Sequence, residues 1–373
     1  MNEIVISGTG VFTPKEKITN KELVEAYNSY AENFNLKNKD GIYKGDMKAL
    51  EMSSEEFIYN ASGIKNRYVM NKKGILDPNI MHPILEKRNN DEPSIMAEIS
   101  IFAAKKALEN AKKEPSDIDA VITACSNLER AYPAVAIEVQ QFLGIKGFAF
   151  DMNVACSSAT FGIQAAADMI KAGSAKTILI VNPEICSGHL DFKDRDCHFI
   201  FGDVCTAMVL ENKSSSNSLN SFEILSTKCI TQFSNNIRNN FGFLNNAKQI
   251  KPINRDMLFM QEGRKVFKEV VPMVSKLIID HLMDESIEID DLKRLWLHQA
   301  NKSMNDLIGK KVLGRTPNKN EQPNILQDYA NTSSAGSIIA FSKYSKGMKK
   351  DEIGVLCSFG AGYSAGSVIL RKT

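Results

Sequence analysis

Short apolar runs rich in Val, Ile and Ala alternate along this chain with longer stretches whose apolar residues recur at helical spacing, and this alternation constrains the fold most. Strand-like runs fall at residues 3–7, 120–125, 149–152, 177–181, 207–211, 222–227, 294–297, 354–358 and 366–371. The spacing predicts helices over residues 97–110, 134–143, 157 to about 171, 259–283, 302–312 and 334–346. Such a pattern points to an α/β protein with a mainly parallel sheet.

A Ser/Asn-rich stretch at 212–220 lacks apolar periodicity and reads as a linker. It divides an N-terminal half, 1–212, from a C-terminal half, 221–373. Two comparable α/β halves suggest duplication, although no literal repeat is present. Over about 28–93 the pattern weakens into charged, Asn-rich and Pro-punctuated sequence, which predicts an irregular cap insertion.

The 373 residues suit one large domain or two fused ones, and 43% hydrophobic with 24% charged residues is ordinary globular composition. A net charge of +2 gives no field that would favour nucleic acid. Seven cysteines, an odd number without CxxC pairs, argue against a disulfide framework or structural zinc and for a reducing, cytoplasmic setting. No basic leader precedes an apolar stretch, and no run approaches the roughly eighteen apolar residues that cross a bilayer, so no membrane insertion is expected. ISGTG lacks the full GxGxxG fingerprint and reads as a strand-to-turn device.

In FAFDMNVACSSATFGIQAAADMI a strand runs into Cys156, after which Ala159, Ile163, Ala166 and Ile170 recur at helical spacing. The thiol sits where a helix begins, and free N–H groups with the helix dipole there favour thiolate. Ser157 and Ser158 are expected to cap that helix. The alternative is a small core thiol, which is how Cys125, Cys205 and Cys357, placed in strands, and the other cysteines are read.

LWLHQAN puts His298 at the end of an apolar strand, as a core histidine or as a donor into a crevice. QDYANTSSAGSIIAF offers Asn331 before a helix, where Asn is also ordinary capping chemistry. Cys, His and Asn together form a nucleophilic constellation without fixing the reaction. Cysteine proteases use the same three, but QAC or CGSC-type surroundings are missing. His189, Asp191, Asp194, Asp196 and His198 in GHLDFKDRDCHF have metal-ligand chemistry but the spacing of no common site, so no metal is expected.

At VACSSA, LHQAN, ANTSSAG and SFGAGYSAGS, in this order, the sequence resembles the β-ketoacyl-acyl carrier protein synthase III family over nearly its whole length. SNLERAYPA, FDMNVACSSATFG, NPEICSGH and SNNIRNNFGF are similar to its β-ketodecanoyl branch, which takes a medium-chain primer from coenzyme A. The resemblance implies a thiolase-like fold of two duplicated α/β halves in αβαβα layers. It implies that Cys156 accepts an acyl group from acyl-CoA and condenses it with malonyl-acyl carrier protein, in fatty acid biosynthesis, without a cofactor. His298 and Asn331 would support decarboxylation, because two donors aimed at the enolate oxygen lower the barrier where charge develops.

By the same resemblance, the backbone N–H groups of Cys156 and Ala361 form the oxyanion site. Ala361 stands where glycine is frequent, which a donor tolerates while φ stays negative. Tyr132 would help close the acyl channel, often across a homodimer interface. Phe57, Arg67, Arg264, Lys268 and Lys302 fall in the region for coenzyme A and acyl carrier protein. Departures there are Phe57 in place of an indole, Ala61 in place of an arginine and Ser303 in place of a basic residue. Arg264 and Lys268 would meet the acidic carrier, against the plainer reading of a solvated helix face. Two other readings stay open: a non-catalytic acyl or carrier-protein holder, and a head-to-head or hydroxymethylglutaryl-CoA type synthase. The latter leans on a glutamate base, and Glu129 is near that loop but offset from Tyr132.

Overall fold

Strands that are apolar on both faces need cover on both faces, and this requirement sets the layering. The structure, a computed structural model, describes residues 3–240 and 254–373. The first half opens with β1 (Ile4–Phe12), β2 (Glu16–Thr19), α1 (Asn20–Lys37), α2 (Lys39–Tyr43), α3 (Glu55–Ser62), β3 (Asn66–Val69) and α4 (Lys72–Leu76). It continues through α5 (Ile95–Ala111), β4 (Ala120–Ala124), α6 (Val135–Leu143), β5 (Phe148–Met152), α7 (Ser158–Lys171), β6 (Thr177–Ile185) and β7 (Asp203–Asn212). The second half comprises β8 (Phe222–Ser234), β9 (Ile237–Arg238), β10 (Met260–Gln261), α8 (Gly263–Asp284) and β11 (Leu292–Leu297). It ends with α9 (Lys302–Leu313), α10 (Leu326–Tyr329), α11 (Ala335–Tyr344), β12 (Ile353–Gly360) and β13 (Gly362–Lys372). Residues 241–243 of the SNNIRNNFGF motif lie outside the described residues.

Among the described residues the main strands join in the order β11-β12-β13-β8-β1-β7-β6-β4-β5. Parallel pairing is confined to β4 with β5, β4 with β6, and β11 with β12. The remaining neighbours are antiparallel, so the expected mainly parallel sheet is corrected to a mixed one. The cause is connectivity. β12 passes to β13 through Ala361, and β6 reaches β7 without an α-helical crossover, so each pair must run antiparallel. The pairing repeats: β4, β6, β7, β1 in one half and β11, β12, β13, β8 in the other each run parallel, antiparallel, antiparallel.

Alternate strand residues enter different cores. Ile122, Ile178 and Ile180 face the central core with α7 and α11, whereas Val121, Leu179 and Val181 pack under α5 and α6. In the other half, Trp296 and Leu356 join that same central core while Leu295, Leu297 and Val355 pack under α8 and α9. The layers are therefore helices, strands, inner helices, strands and helices, each enclosed aliphatic contributing about 1.5–3 kcal/mol. Gly8 and Gly10 lie inside β1 rather than in a turn. A Cβ on either would meet the α5 carbonyls of Ala107 and Ala103 at 2.2 and 2.0 Å, so the strand and helix touch backbone to backbone.

The 28–93 segment is irregular only in part: residues 44–54 and 77–93 carry no helix or strand, whereas the end of α1, α2, α3, β3 and α4 are regular. Thr19 and Glu22 form a capping box that starts α1, and Leu23, Tyr27 and Ala31 bury one face of it. That face packs with Ile58, Ile64 and Ile75 against Phe192, Phe199 and Phe201, the stretch that borders the candidate site. Cys125 lies just past β4 rather than in it, and Cys205 and Cys357 are in strands; all three are buried. Among the described residues no helix is long and apolar enough to cross a membrane.

Candidate active site

The inner helices α7 and α11 both begin beside Cys156. The serines after it do not cap α7. Ser157 Oγ donates to the Val154 carbonyl (2.9 Å), while Ser158 Oγ accepts from the Val154 N–H (2.8 Å) and donates to the Ala155 carbonyl (2.7 Å). Together they hold a turn in which Ala155 takes φ of 48°, a strained value that persists only when its surroundings fix it. Gly360 completes the contact from β12: a Cβ there would lie 2.6 Å from Cys156 Cβ and 3.1 Å from its sulfur.

Three donors reach the sulfur: Ser333 Oγ at 3.2 Å, and the backbone N–H groups of Ala361 and of Cys156 itself. Burial nevertheless pushes the Cys156 thiol up to about 11, with the nearby Glu184 carboxylate adding to the rise. The expected depression by the helix start is thereby corrected, because enclosure outweighs the donors. The positive φ of the closing turn falls on Gly362 (132°) and not on Ala361.

His298 follows β11, its N–H donating to the Cys357 carbonyl (2.8 Å) and its carbonyl accepting from Asn305 Nδ2 (2.9 Å). Its ring stands edge-on to Phe359 at 5.1 Å. Burial lowers its pKa to about 4 against a hydrogen bond with the Ser333 backbone, so the imidazole is neutral near pH 7. Nδ1 has no hydrogen-bond partner among the described residues. Asn331 is fixed through its backbone, donating to the Ile200 carbonyl and accepting from the Gly202 N–H, both at 3.0 Å. Its Oδ1 takes the Ser333 N–H (2.9 Å), which leaves Nδ2 as its donor.

Cys156, His298, Asn331 and Gly360 line one cavity of about 790 Å³ whose wall is rich in phenylalanine. Phe57, Ala61, Ser303, Arg264 and Lys268 also line it, the last two from the start of α8. The Arg195 guanidinium lies over the Phe57 ring at 3.9 Å. Lys302 stands outside this wall, paired with Asp306 and packed by Gly63. Arg67 is fully buried and donates to Asn20 Oδ1 (2.8 Å) and the carbonyls of Ile18 and Phe199. Placing it among substrate contacts is corrected: it braces the wall from behind. Tyr132 is 84% exposed and is not part of its own chain's cavity wall.

Glu129 Oε2 accepts the Met96 N–H (2.9 Å) at the start of α5 and so is engaged away from the cavity. Asp191 and Asp194 pair with Arg255 at 3.4 and 2.9 Å, and His198 stacks on Tyr27 at 4.8 Å. Among the described residues no cluster of three or more His, Cys, Asp or Glu is arranged to hold a metal.

Sequence reasoning missed Ser333, Glu184 and Arg195. The ANTSSAG motif contained Ser333, but a serine among small residues carries no signal of its own. Glu184 looked like the tail of strand β6, and Arg195 was one cation among aspartates.

The layering matches solved structures. The 3-oxoacyl-[acyl-carrier-protein] synthase III of Aquifex aeolicus VF5 superposes with a TM-score of 0.77 over 99% of each chain, at 24% identity. The protein therefore has the thiolase-like α/β fold, two duplicated halves in αβαβα layers, with a cysteine at the head of an inner helix. A family model described as 3-oxoacyl-[acyl-carrier-protein (ACP)] synthase III matches residues 150–232, and its C-terminal counterpart matches 282–372. Over 349 residues the chain is 58% identical to the beta-ketodecanoyl-[acyl-carrier-protein] synthase of Pseudomonas aeruginosa, covering 94% of this chain and 100% of that one. It is 30% identical over 333 residues to the beta-ketoacyl-[acyl-carrier-protein] synthase III of Brucella anthropi, covering 87% and 93%. The chain belongs to the 3-oxoacyl-acyl carrier protein synthase III family, in the branch of the beta-ketodecanoyl enzyme.

Proposed function

We propose that the protein is a decarboxylating 3-oxoacyl-acyl carrier protein synthase of fatty acid biosynthesis that transfers a medium-chain acyl group from acyl-CoA to malonyl-acyl carrier protein. The observation that carries this is Cys156 sharing one cavity with His298 and Asn331 while Ser333 Oγ donates to its sulfur. The Cys156 sulfur attacks the acyl-CoA thioester, and coenzyme A leaves with the thiol proton. Malonyl-acyl carrier protein then enters and loses CO2. Neutral His298 and the Asn331 amide donate to the enolate oxygen, and the backbone N–H groups of Cys156 and Ala361 hold the tetrahedral oxyanion. The enolate carbon bonds to the acyl carbon, the Cys156 thiolate leaves, and a proton restores the thiol. No cofactor takes part.

Phe57, Arg264 and Lys268 are the contacts for coenzyme A and carrier protein in this reading, with Lys302 outside the wall. The medium-chain primer is supported by the name of the Pseudomonas relative. A homodimer fits the sheet edge, where β5 lies beside exposed Ile137, Phe142, Phe148 and Tyr132. Division at 212/221, with 28–93 as an insertion in the first half, is supported by the repeated strand pairing. The setting is cytoplasmic, where these substrates occur. Mass spectrometry of carrier protein after incubation with medium-chain acyl-CoA and malonyl-carrier protein tests the activity: a 3-oxoacyl-carrier protein is expected, and recovery of unextended malonyl-carrier protein would count against it.

A further inference from the structure

Glu184 is a fully buried carboxyl at the end of β6, with no lysine or arginine paired to it among the described residues. Four serine donors converge on it from two loops, and Cys186 Sγ lies 3.8 Å from Oε2. Oε1 accepts the N–H groups of Ser126 (3.0 Å) and Ser334 (3.2 Å) and the Ser334 hydroxyl, while Oε2 accepts the Ser126 hydroxyl (2.5 Å). Ser126 in turn accepts Asn153 Nδ2 at its carbonyl (2.9 Å), which ties in the nucleophile turn. The loop before α11 needs such an anchor. Ala330 and Ser333 both sit at positive φ (58° and 48°), which residues with a Cβ hold only when surroundings impose it. Ser333 is the residue that donates to the Cys156 sulfur.

We infer that Glu184 is a positioning residue: its carboxylate clamps the 331–334 loop, through Ser334, to the nucleophile turn, through Ser126, and so sets the Ser333 hydroxyl on the Cys156 sulfur. This rests on Cys156 being the nucleophile of the proposed reaction. Its test needs no substrate, so the two readings fail separately. Glutamine fits the same donors, with its carbonyl at the Oε1 position and its amide N–H2 turned to the Ser126 hydroxyl. Alanine removes the acceptor altogether. Both variants lack the charge, which also faces Cys125, Cys156, Cys186 and Cys205, so their difference reports the clamp and not the field.

The experiment compares iodoacetamide alkylation of Cys156, located by peptide mapping, in Glu184→Gln and Glu184→Ala across a pH series, each with and without Ser333→Ala. Alanine is expected to react about tenfold more slowly than glutamine through the loss of one charge-assisted hydrogen bond, and that gap is expected to close in the Ser333→Ala background. Equal rates for the two single variants, or a gap that survives Ser333→Ala, would overturn the inference. If Glu184→Ala does not fold by circular dichroism, Ser334→Ala against the unaltered protein replaces it. That variant keeps the carboxyl group, and well above pH 7, where the carboxyl is ionised, the same slowing, abolished by Ser333→Ala, is expected.

Discussion

Ser333 Oγ donates to Cys156 Sγ across 3.2 Å, so one hydrogen bond joins the head of helix α7 to the loop that carries Asn331. Yet, although Cys156 is only half-buried at the cavity wall, desolvation holds the thiol at about 11. Alkylation of Cys156 in the free protein should therefore be slow near neutrality and climb about tenfold per pH unit toward that value. Ser333→Ala should move the climb to higher pH. A rate already level at neutral pH would mean a resting thiolate.

His298 titrates at about 4 and stays neutral through the working range. His298→Ala should leave Cys156 acylation by acyl-CoA intact and reduce malonyl decarboxylation by roughly 100- to 1,000-fold, the usual cost of an oxyanion donor. Acyl-adduct mass and released CO2 separate the two steps. Loss of acylation itself would assign His298 a different role.

At Gly360 there is no room for a side chain. Gly360→Ala would force Cβ to 2.6 Å from Cys156 Cβ, which should cost about 1–3 kcal/mol of stability and displace the thiol from its donors. Denaturant unfolding and the acylation rate should both register it.

Burial raises Glu184 from 4.5 to about 7 against the hydrogen bonds from Ser126 and Ser334. A carboxyl raised on folding favours the folded state below its unfolded value and loses that contribution as pH rises through the folded one. Glu184→Gln should accordingly gain stability relative to the unaltered protein between pH 4.5 and about 7, by about 3 kcal/mol at the upper end. Unfolding midpoints across that range check the sign, and a pH-independent difference would contradict it.

Short continuous apolar runs made the main strands legible, because neighbouring residues such as Val121 and Ile122 serve opposite cores. Which strands pair, and in which sense, depends on contacts distant in sequence, and the antiparallel centre was hidden for that reason. Helix α1 escaped notice because only Leu23, Ala26, Tyr27 and Ala31 mark its buried apolar face among charged neighbours, although Thr19 and Glu22 carry a capping signal. Cys156 and His298 stood out because each lies at the end of an apolar run, and Asn331 because it precedes a small-residue helix start. Burial was not legible. It turned Arg67 from a contact into a brace, and it reversed the direction of the Cys156 shift.

The most direct measurement is the intact mass and peptide location of the adduct formed when the protein meets acyl-CoA thioesters of increasing chain length, before and after malonyl-carrier protein is added. An acyl group on Cys156, absent in Cys156→Ala and discharged as a 3-oxoacyl-carrier protein, is the predicted result. An adduct elsewhere, or none with any primer, would contradict Cys156 as the nucleophile of a condensing enzyme.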